Sequence, residues 1–338
     1  MVNDTNVAFK VTDRSYFAII KKDIHALAIS SNFDAKKVGE IDIIIAEMVT
    51  NLVKHAGGGQ ILVKLLMENG LQGMEIISID NGPGMTDVSR MVADGVSTKN
   101  TLGQGLGAIK RLSEVFQIYS LKDWGTVQLV RVFEKPLSLF IKPLKAELRS
   151  VILPKPGEVA CGDGLYYVMN DRYIKILLGD GLGHGVQAAK AVMAAGKAFL
   201  GCHSADPVDV IGVINEAVKK TRGLVGTIAI FDLANKKWNI CGVGNIITKV
   251  NGITTTKIYT NHNGIIGLNL PRTLNALEME YEKGQHIIMC SDGLKSRWDS
   301  AKYPAISRYD LSILAAVLLK DFARYTDDMS VVACKINL

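Results

Sequence analysis

In EIDIIIAEMVTNLVKHAG (40–57), apolar residues recur at Ile41, Ile44, Ile45, Met48 and Leu52. That spacing is one buried face of a helix, and the glycines after it end the helix. QILVKLLM (60–67) and MEIISID (74–80) read instead as two strands, joined in hairpin fashion by ENGLQG. A second helix is expected to start within GQGLGAIKRLSEVF (103–116), and FQIYSL and TVQLVRVF add two further strands. The later part of the chain reads as short β-rich runs: LYYVMN, YIKILLGD, GTIAIFDL, KWNICGVG, ITKVN, HIIMCSDG and MSVVACKI. Helices are expected among them near 186–200, 207–221 and 309–324. Strands with helices grouped between them imply an α/β (α+β) layered sandwich.

Between the two regions lies EKPLSLFIKPLKAELRSVILPKPG (134–157), which holds four of the eight prolines. Proline fixes φ and disfavours helix before it, so this stretch reads as a connector, with SLFI apolar enough to pack on a domain. The expected organisation is a first domain over 1–135, a proline-containing linker over 136–149 and a second domain over 150–338. A length of 338 residues suits two domains. Five cysteines without a CxxC pair argue against a disulfide framework or a zinc site and suit a reducing cytoplasm. Neither a signal pattern nor a run long enough to span a membrane is present, so no membrane insertion is expected. The net charge of +6 falls wholly in 136–338, where 24 basic and 18 acidic residues are scattered without a basic run. That is a solvated surface, and no nucleic-acid partner is expected.

On the helix over 40–57, Glu47, Asn51 and His55 recur every fourth residue and form a polar stripe beside the apolar face. A solvated helix edge would give the same stripe, but two glycine-rich segments further along the chain change the balance. DNGPGM (80–85) sets Asp80 at a strand end, with Gly82 and Gly84 next to it to let a planar base approach the backbone. TLGQGLG then puts Gly103, Gly105 and Gly107 at a helix start, where unpaired N–H groups can receive phosphates. In that setting Asp80 can accept a hydrogen bond from an adenine amino group, and Asn51 can offer an oxygen to Mg²⁺.

The order ExxxNxxxHA, DxGPG, GxGLG resembles the histidine-kinase-like ATPase fold, a Bergerat-type α/β sandwich. Within that fold it is similar to the RsbT-type serine/threonine kinases of bacterial general-stress pathways. The resemblance implies ATP and Mg²⁺ as cofactors. It makes Glu47 the base toward a substrate hydroxyl, Asn51 the Mg²⁺ ligand and Asp80 the adenine reader, with Gly103, Gly105 and Gly107 along the phosphates. The lid between Gly95 and Gly103 is short, as in those kinases, and Lys99 reads as an exposed lid residue. A sensor histidine kinase fits less well, because His25 is the only earlier histidine and its segment is too short for a phosphoacceptor hairpin. His55 reads as a structural residue at the helix end.

LLGDGLGHG (177–185) is not a P-loop, since no Lys-Ser or Lys-Thr stands at the required spacing. Its company is aspartates at other strand ends: Asp163 in CGDGLYYV, Asp292 in MCSDGL, and Asp327 with Asp328 in YTDDMSVV. One such aspartate is usually a turn cap. Four Asp-containing turns converging would instead supply hard oxygen ligands for Mg²⁺ or Mn²⁺ and orient a water for in-line attack on phosphorus.

The order GD, DGxGHG, SDG, DDMS resembles the PP2C-like αββα-sandwich phosphatases of the SpoIIE/RsbX branch, over roughly 150–338. The resemblance implies two Mn²⁺ or Mg²⁺ ions. Asp180 would bridge them, Gly181 would offer its carbonyl, Asp163 would join one ion, and Asp292 and Asp327 would hold the other. Asp328 then supports from outside the ligand set, and His184 reads as an exposed loop histidine. The expected function is an antagonistic kinase and phosphatase fused in one chain and acting on a STAS-domain protein in bacterial partner switching. The alternatives are a phosphatase whose first domain only binds ATP or a partner, and a non-catalytic scaffold.

Overall fold

The computed structural model describes residues 4–13, 16–92, 105–136, 144–252 and 256–338. Gly103, the lid with Lys99, and SLFI lie outside these described residues. By contact the chain divides into two units: Met1–Lys142 with Tyr303–Val317, and Pro143–Lys302 with Leu318–Leu338.

The first unit runs β1 (Val7–Val11), α1 (Phe17–Ser30), α2 (Ala35–Asn51), β2 (Gly59–Glu68), β3 (Leu71–Ile79), α3 (Val88–Val92), α4 (Gly105–Leu112), β4 (Val115–Leu121) and β5 (Gly125–Phe133). Its antiparallel sheet has the order β1-β2-β3-β5-β4. Helix α2 begins five residues before the periodic run, because Asp34 caps it by accepting the Lys37 N–H at 2.7 Å. Ile41, Ile44, Ile45, Met48 and Leu52 are all buried, packed with Ile61, Val63, Met74, Ile76, Val130 and Val132 of the sheet. The last turn, Leu52–Ala56, is a π-turn that leaves His55 exposed.

Strand alternation sends Glu75 and Arg131 to the face opposite this core, yet both are buried. Arg131 Nε donates to Glu75 Oε2 at 2.8 Å, and its two terminal nitrogens grip the two oxygens of Asp310 at 2.7 and 2.8 Å. Ser312 Oγ donates to Glu75 Oε2, and Tyr119 reaches the Pro304 carbonyl. A buried guanidinium without counter-charges would be untenable, and Asp310 supplies one from Tyr303–Val317, which groups with the first unit although it lies far along the chain. Burial opposes the charge on Arg131, but Glu75 and Asp310 outweigh it and hold its pKa above the ordinary value.

The second unit runs β6 (Ala146–Leu153), β7 (Asp163–Met169), β8 (Tyr173–Gly181), α5 (Gly185–Gly201), α6 (Pro207–Val218), β9 (Leu224–Asp232), β10 (Lys237–Val243), β11 (Ile247–Asn251), β12 (Thr256–Tyr259), β13 (Leu277–Glu280), β14 (His286–Cys290) and β15 (Met329–Ile336). Helix α7 (Leu311–Phe322) precedes β15, and its residues up to Val317 are those grouped with the first unit. The sheets have the orders β13-β10-β9-β8-β7 and β12-β11-β14-β15-β6. Ile174, Ile176 and Leu178 of β8 face the second sheet through a core shared with Ile287, Met289, Val332 and Ile336. Leu177, on the other face of the same strand, packs with Val192 and Phe199 of α5 and Ile214 of α6. The period of two thus makes one strand serve both layers. Residues 146–153, read from sequence as connector, form a strand paired along its whole length with β15. Prolines flank that strand without entering it, and it lies at a sheet edge, where flanking prolines are tolerated. Among the described residues no helix is long and apolar enough to cross a membrane.

Candidate functional site

In the first unit, the start of α4 comes so close to α2 that a Cβ on Gly105 would stand 2.8 Å from Glu47 Oε2 and 3.7 Å from Asn51 Oδ1. That approach brings the helix-start residue of the glycine run beside the two polar residues of α2, and a side chain on Gly105 would displace the Glu47 carboxylate. Asn51 Nδ2 is buried without a hydrogen-bond partner, an unmet requirement that a ligand would satisfy. Asp80 sits just after β3, where its Oδ1 accepts the N–H of Gly82 at 2.8 Å and of Thr126 at 3.1 Å. Gly84 adopts φ +68°, the left-handed turn that glycine allows. Gly107 is buried within the first turn of α4. Thr126, which also accepts the Asp80 N–H through its carbonyl at 3.0 Å, was not singled out from sequence. It opens an ordinary apolar strand, and only the pairing of β3 with β5 brings it to Asp80.

In the second unit, Asp163 and Asp180 are cross-strand partners, directly opposite each other at the ends of β7 and β8. Like charges so placed repel. Asp163 is 4% exposed, and neither of its oxygens has a hydrogen-bond partner. Burial pushes its carboxyl up to about 7; the nearby Ser291 and Ser330 hydroxyls pull the other way without reaching hydrogen-bond geometry. Asp180 is pushed up to about 9, first by burial and then by Asp163, Asp292, Asp327 and Asp328. Burial and Asp327 also raise Asp292, against a hydrogen bond from Asn245 Nδ2 to its Oδ2 at 2.8 Å and the charge of Arg324.

The two adjacent aspartates divide their work. Asp328 spends Oδ1 on the Lys155 N–H and Oδ2 on the Gly162 N–H, both at 2.8 Å, and so ties down both ends of the loop before β7. Asp327 is half-buried, and its Oδ1 accepts the Asp328 N–H at 2.9 Å. The recurring Asp-Gly pairs have a steric cause. A Cβ on Gly181 would lie 2.4 Å from the Ala188 carbonyl oxygen, and one on Gly293 would lie 1.9 Å from that of Asp328. Each glycine lets neighbouring backbone close over the aspartate beside it.

Among the described residues, no three His, Cys, Asp or Glu side chains already surround one point closely enough to hold a metal ion. Mg²⁺ keeps several waters and takes only one or two protein carboxylates. Five mutually repelling carboxylates, one with both oxygens orphaned, therefore fit hydrated divalent cations rather than a closed protein shell. Asn245 and Glu158, whose Oε1 lies 2.6 Å from His184 Nδ1, are further residues here that sequence reasoning did not single out.

A glycine-lined polar corner on one α/β sandwich and a cluster of strand-end carboxylates on a double-sheet sandwich resemble a nucleotide-binding type of domain joined to a metallophosphatase type. Comparison with known proteins agrees. The histidine kinase-like ATPase domain family matches residues 12–131, and the stage II sporulation protein E (SpoIIE) family matches residues 170–337. Serine/threonine-protein kinase RsbT of Bacillus subtilis (strain 168) is 38% identical over 86 residues, covering 25% of this chain and 65% of that protein. Phosphoserine phosphatase RsbX of the same organism is 26% identical over 142 residues, covering 42% of this chain and 71% of RsbX. A crystal structure of RsbX in complex with magnesium shares the fold at a TM-score of 0.52 and 19% identity, over 66% of this chain and 100% of that one. The chain carries an RsbT-like histidine kinase-like ATPase domain followed by a SpoIIE/PP2C-type phosphatase domain.

Proposed function

We propose that this chain is a bifunctional partner-switching regulator of the bacterial cytoplasm. Its first domain transfers phosphate from ATP to a serine or threonine of a STAS-domain protein, and its second domain removes that phosphate. The observation that carries the phosphatase half is the facing pair Asp163 and Asp180 at the centre of a five-carboxylate cluster. Asp180, Asp163, Asp292, Asp327 and the Gly181 carbonyl would hold two Mg²⁺ or Mn²⁺ ions, which when bound neutralise phosphoryl oxygens and make water a better nucleophile. Asp328 keeps the loop before β7 in place, and Asn245 fixes the orientation of Asp292.

For the kinase half, Glu47 would accept the proton of the substrate hydroxyl and Asn51 would hold Mg²⁺. Asp80 would accept from the adenine amine, beside the close turn at Gly82 and Gly84, while the N–H groups of Gly103, Gly105 and Gly107 would receive phosphate. The approach of Gly105 to Glu47 and Asn51 supports this assignment.

The test tracks label from γ-labelled ATP onto a STAS-domain protein, with wild type, Asn51→Ala and Asp180→Asn. Label that accumulates with Asp180→Asn, turns over with wild type and is absent with Asn51→Ala is the expected result. Hydrolysis of a pre-phosphorylated STAS protein without transfer by any form would overturn the kinase half and leave a phosphatase with a nucleotide-binding regulatory domain.

A further inference from the structure

The helix-facing side of the first unit's sheet changes character at one end. Met74 and Ile76 of β3, with Val130 and Val132 of β5, point to this side and pack with α2. The period of two puts Ser78 and Asp80 on the same side, and likewise Thr126 and Gln128. Ile76 pairs with Val130 and Ser78 with Gln128, and one step further the Asp80 N–H donates to the Thr126 carbonyl. An apolar step is thus followed by a Ser–Gln step and then by the Asp80–Thr126 step at the glycine-rich turn. Thr126 is provided for: its N–H donates to Asp80 Oδ1, and its hydroxyl lies 2.9 Å from Ser120 Oγ. Gln128 is not. It is 4% exposed, and its Nε2 has no hydrogen-bond partner. A leucine would fill the same place without burying an unmet donor, so the amide destabilises the empty domain.

We infer that Gln128 reads the adenine ring, its Nε2 donating to N1 while Asp80 accepts from the neighbouring amine; the inference rests on the proposed binding of ATP by the first unit. The triphosphate has to reach the start of α4, so the ribose and N9 lie on that side and the six-membered ring enters first. N1 is then among the ring atoms furthest from the ribose, and it is an acceptor with no proton of its own. Gln128 stands one ladder step deeper in the sheet than Asp80, on the same side, and offers the matching donor. Asp80 and Gln128 together present an acceptor and a donor to the amine and N1 of adenine. Guanine carries an oxygen and an N–H at those two positions, the reverse pattern, and is rejected because both protein groups would stay unpaired.

The experiment removes the hydrogen bond from each side in turn. Calorimetry with Mg²⁺ compares ATP with 1-deaza-ATP, in which C–H replaces N1, on full-length wild type, Gln128→Leu and Gln128→Met. Wild type should bind ATP about tenfold more tightly than 1-deaza-ATP, the worth of one buried hydrogen bond. Both variants should bind ATP about tenfold more weakly than wild type does and no longer distinguish the two nucleotides. Urea melts without nucleotide should show at least one variant as stable as wild type or more so, since the unmet donor is gone. A wild type indifferent to N1, or variants that keep its preference, would overturn the assignment. Equal losses on both nucleotides together with lost stability in both variants would also overturn it, leaving Gln128 a packing residue. A wild type that binds neither nucleotide would instead defeat the ATP-binding reading itself, and the role of Gln128 with it.

Discussion

The carboxylate cluster stores repulsion that can be measured without any substrate. Asp180, with an ordinary pKa of 3.8, is pushed up to about 9 by burial and by the aspartates around it. A carboxyl raised by folding costs nothing below pH 3.8, where folded and unfolded chains both hold the proton. Between 3.8 and about 9 the unfolded chain releases that proton and the folded chain does not, so stability falls as pH rises through this window. Each pH unit is worth about 1.4 kcal/mol, and roughly three units have been crossed by pH 7, which caps the penalty at about 4 kcal/mol. Because Asp163 shares the same repulsion, Asp180→Asn should stabilise the metal-free protein at pH 7 by about 1–4 kcal/mol.

Urea unfolding in EDTA at pH 5, 7 and 8 measures this, monitored by tryptophan fluorescence in a Trp124→Phe background, which leaves Trp238 and Trp298, both buried in the second unit, as reporters. Wild type should lose stability with rising pH more steeply than the variant. In Mn²⁺ the variant's advantage should shrink, since wild type gains about 2.7 kcal/mol when the ion is at one hundred times its Kd. A variant that is less stable than wild type at every pH in EDTA, or that keeps the wild-type pH slope, would refute the like-charge account and with it the cation site.

Arg131 offers a test of the first unit: Asp310→Ala leaves a buried guanidinium short of a counter-charge and should cost about 3–5 kcal/mol of stability in thermal or urea melts of the full chain. Gly181→Ala forces a methyl toward the Ala188 carbonyl, 2.4 Å from the Cβ position; it should cost about 1–3 kcal/mol and depress phosphatase turnover while leaving ATP binding intact. Gly105→Ala displaces the Glu47 carboxylate, 2.8 Å from the Cβ position, and should lower phosphate transfer more than it weakens binding of a fluorescent ATP analogue, with phosphoserine hydrolysis unchanged. Asn245→Ala should leave the fold stable and raise the Mn²⁺ concentration needed for half-maximal hydrolysis, because Asp292 loses the donor that orients it.

Periodicity and apolar runs along the chain determined most of the secondary structure: α2 buries one face at helical spacing, and central strands such as β5, β8 and β9, buried on both faces, read as short apolar runs. The motifs also located the chemistry: Asp163, Asp180 and Asp292 stand at strand ends next to glycines in the sequence itself. What sequence could not decide was anything that depends on which strand lies beside which. Residues 146–153 looked like connector because prolines flank them, and became an edge strand only through pairing with β15. Thr126 and Asn245 carry no local signal; each matters through a backbone or side chain 46 or 47 positions away. The resemblance already set Asp328 outside the ligand set, but its task of holding the loop ends at Lys155 and Gly162 shows only in the folded chain. Tyr303–Val317 groups with the first unit through contacts distant in sequence, among them the buried Arg131 with Asp310 and the Tyr119 ring against Tyr309. Hydrophobic pattern is a local property and is written into the sequence. Charge compensation and register belong to the folded chain, because they are settled by which distant groups are brought within a few ångströms of one another.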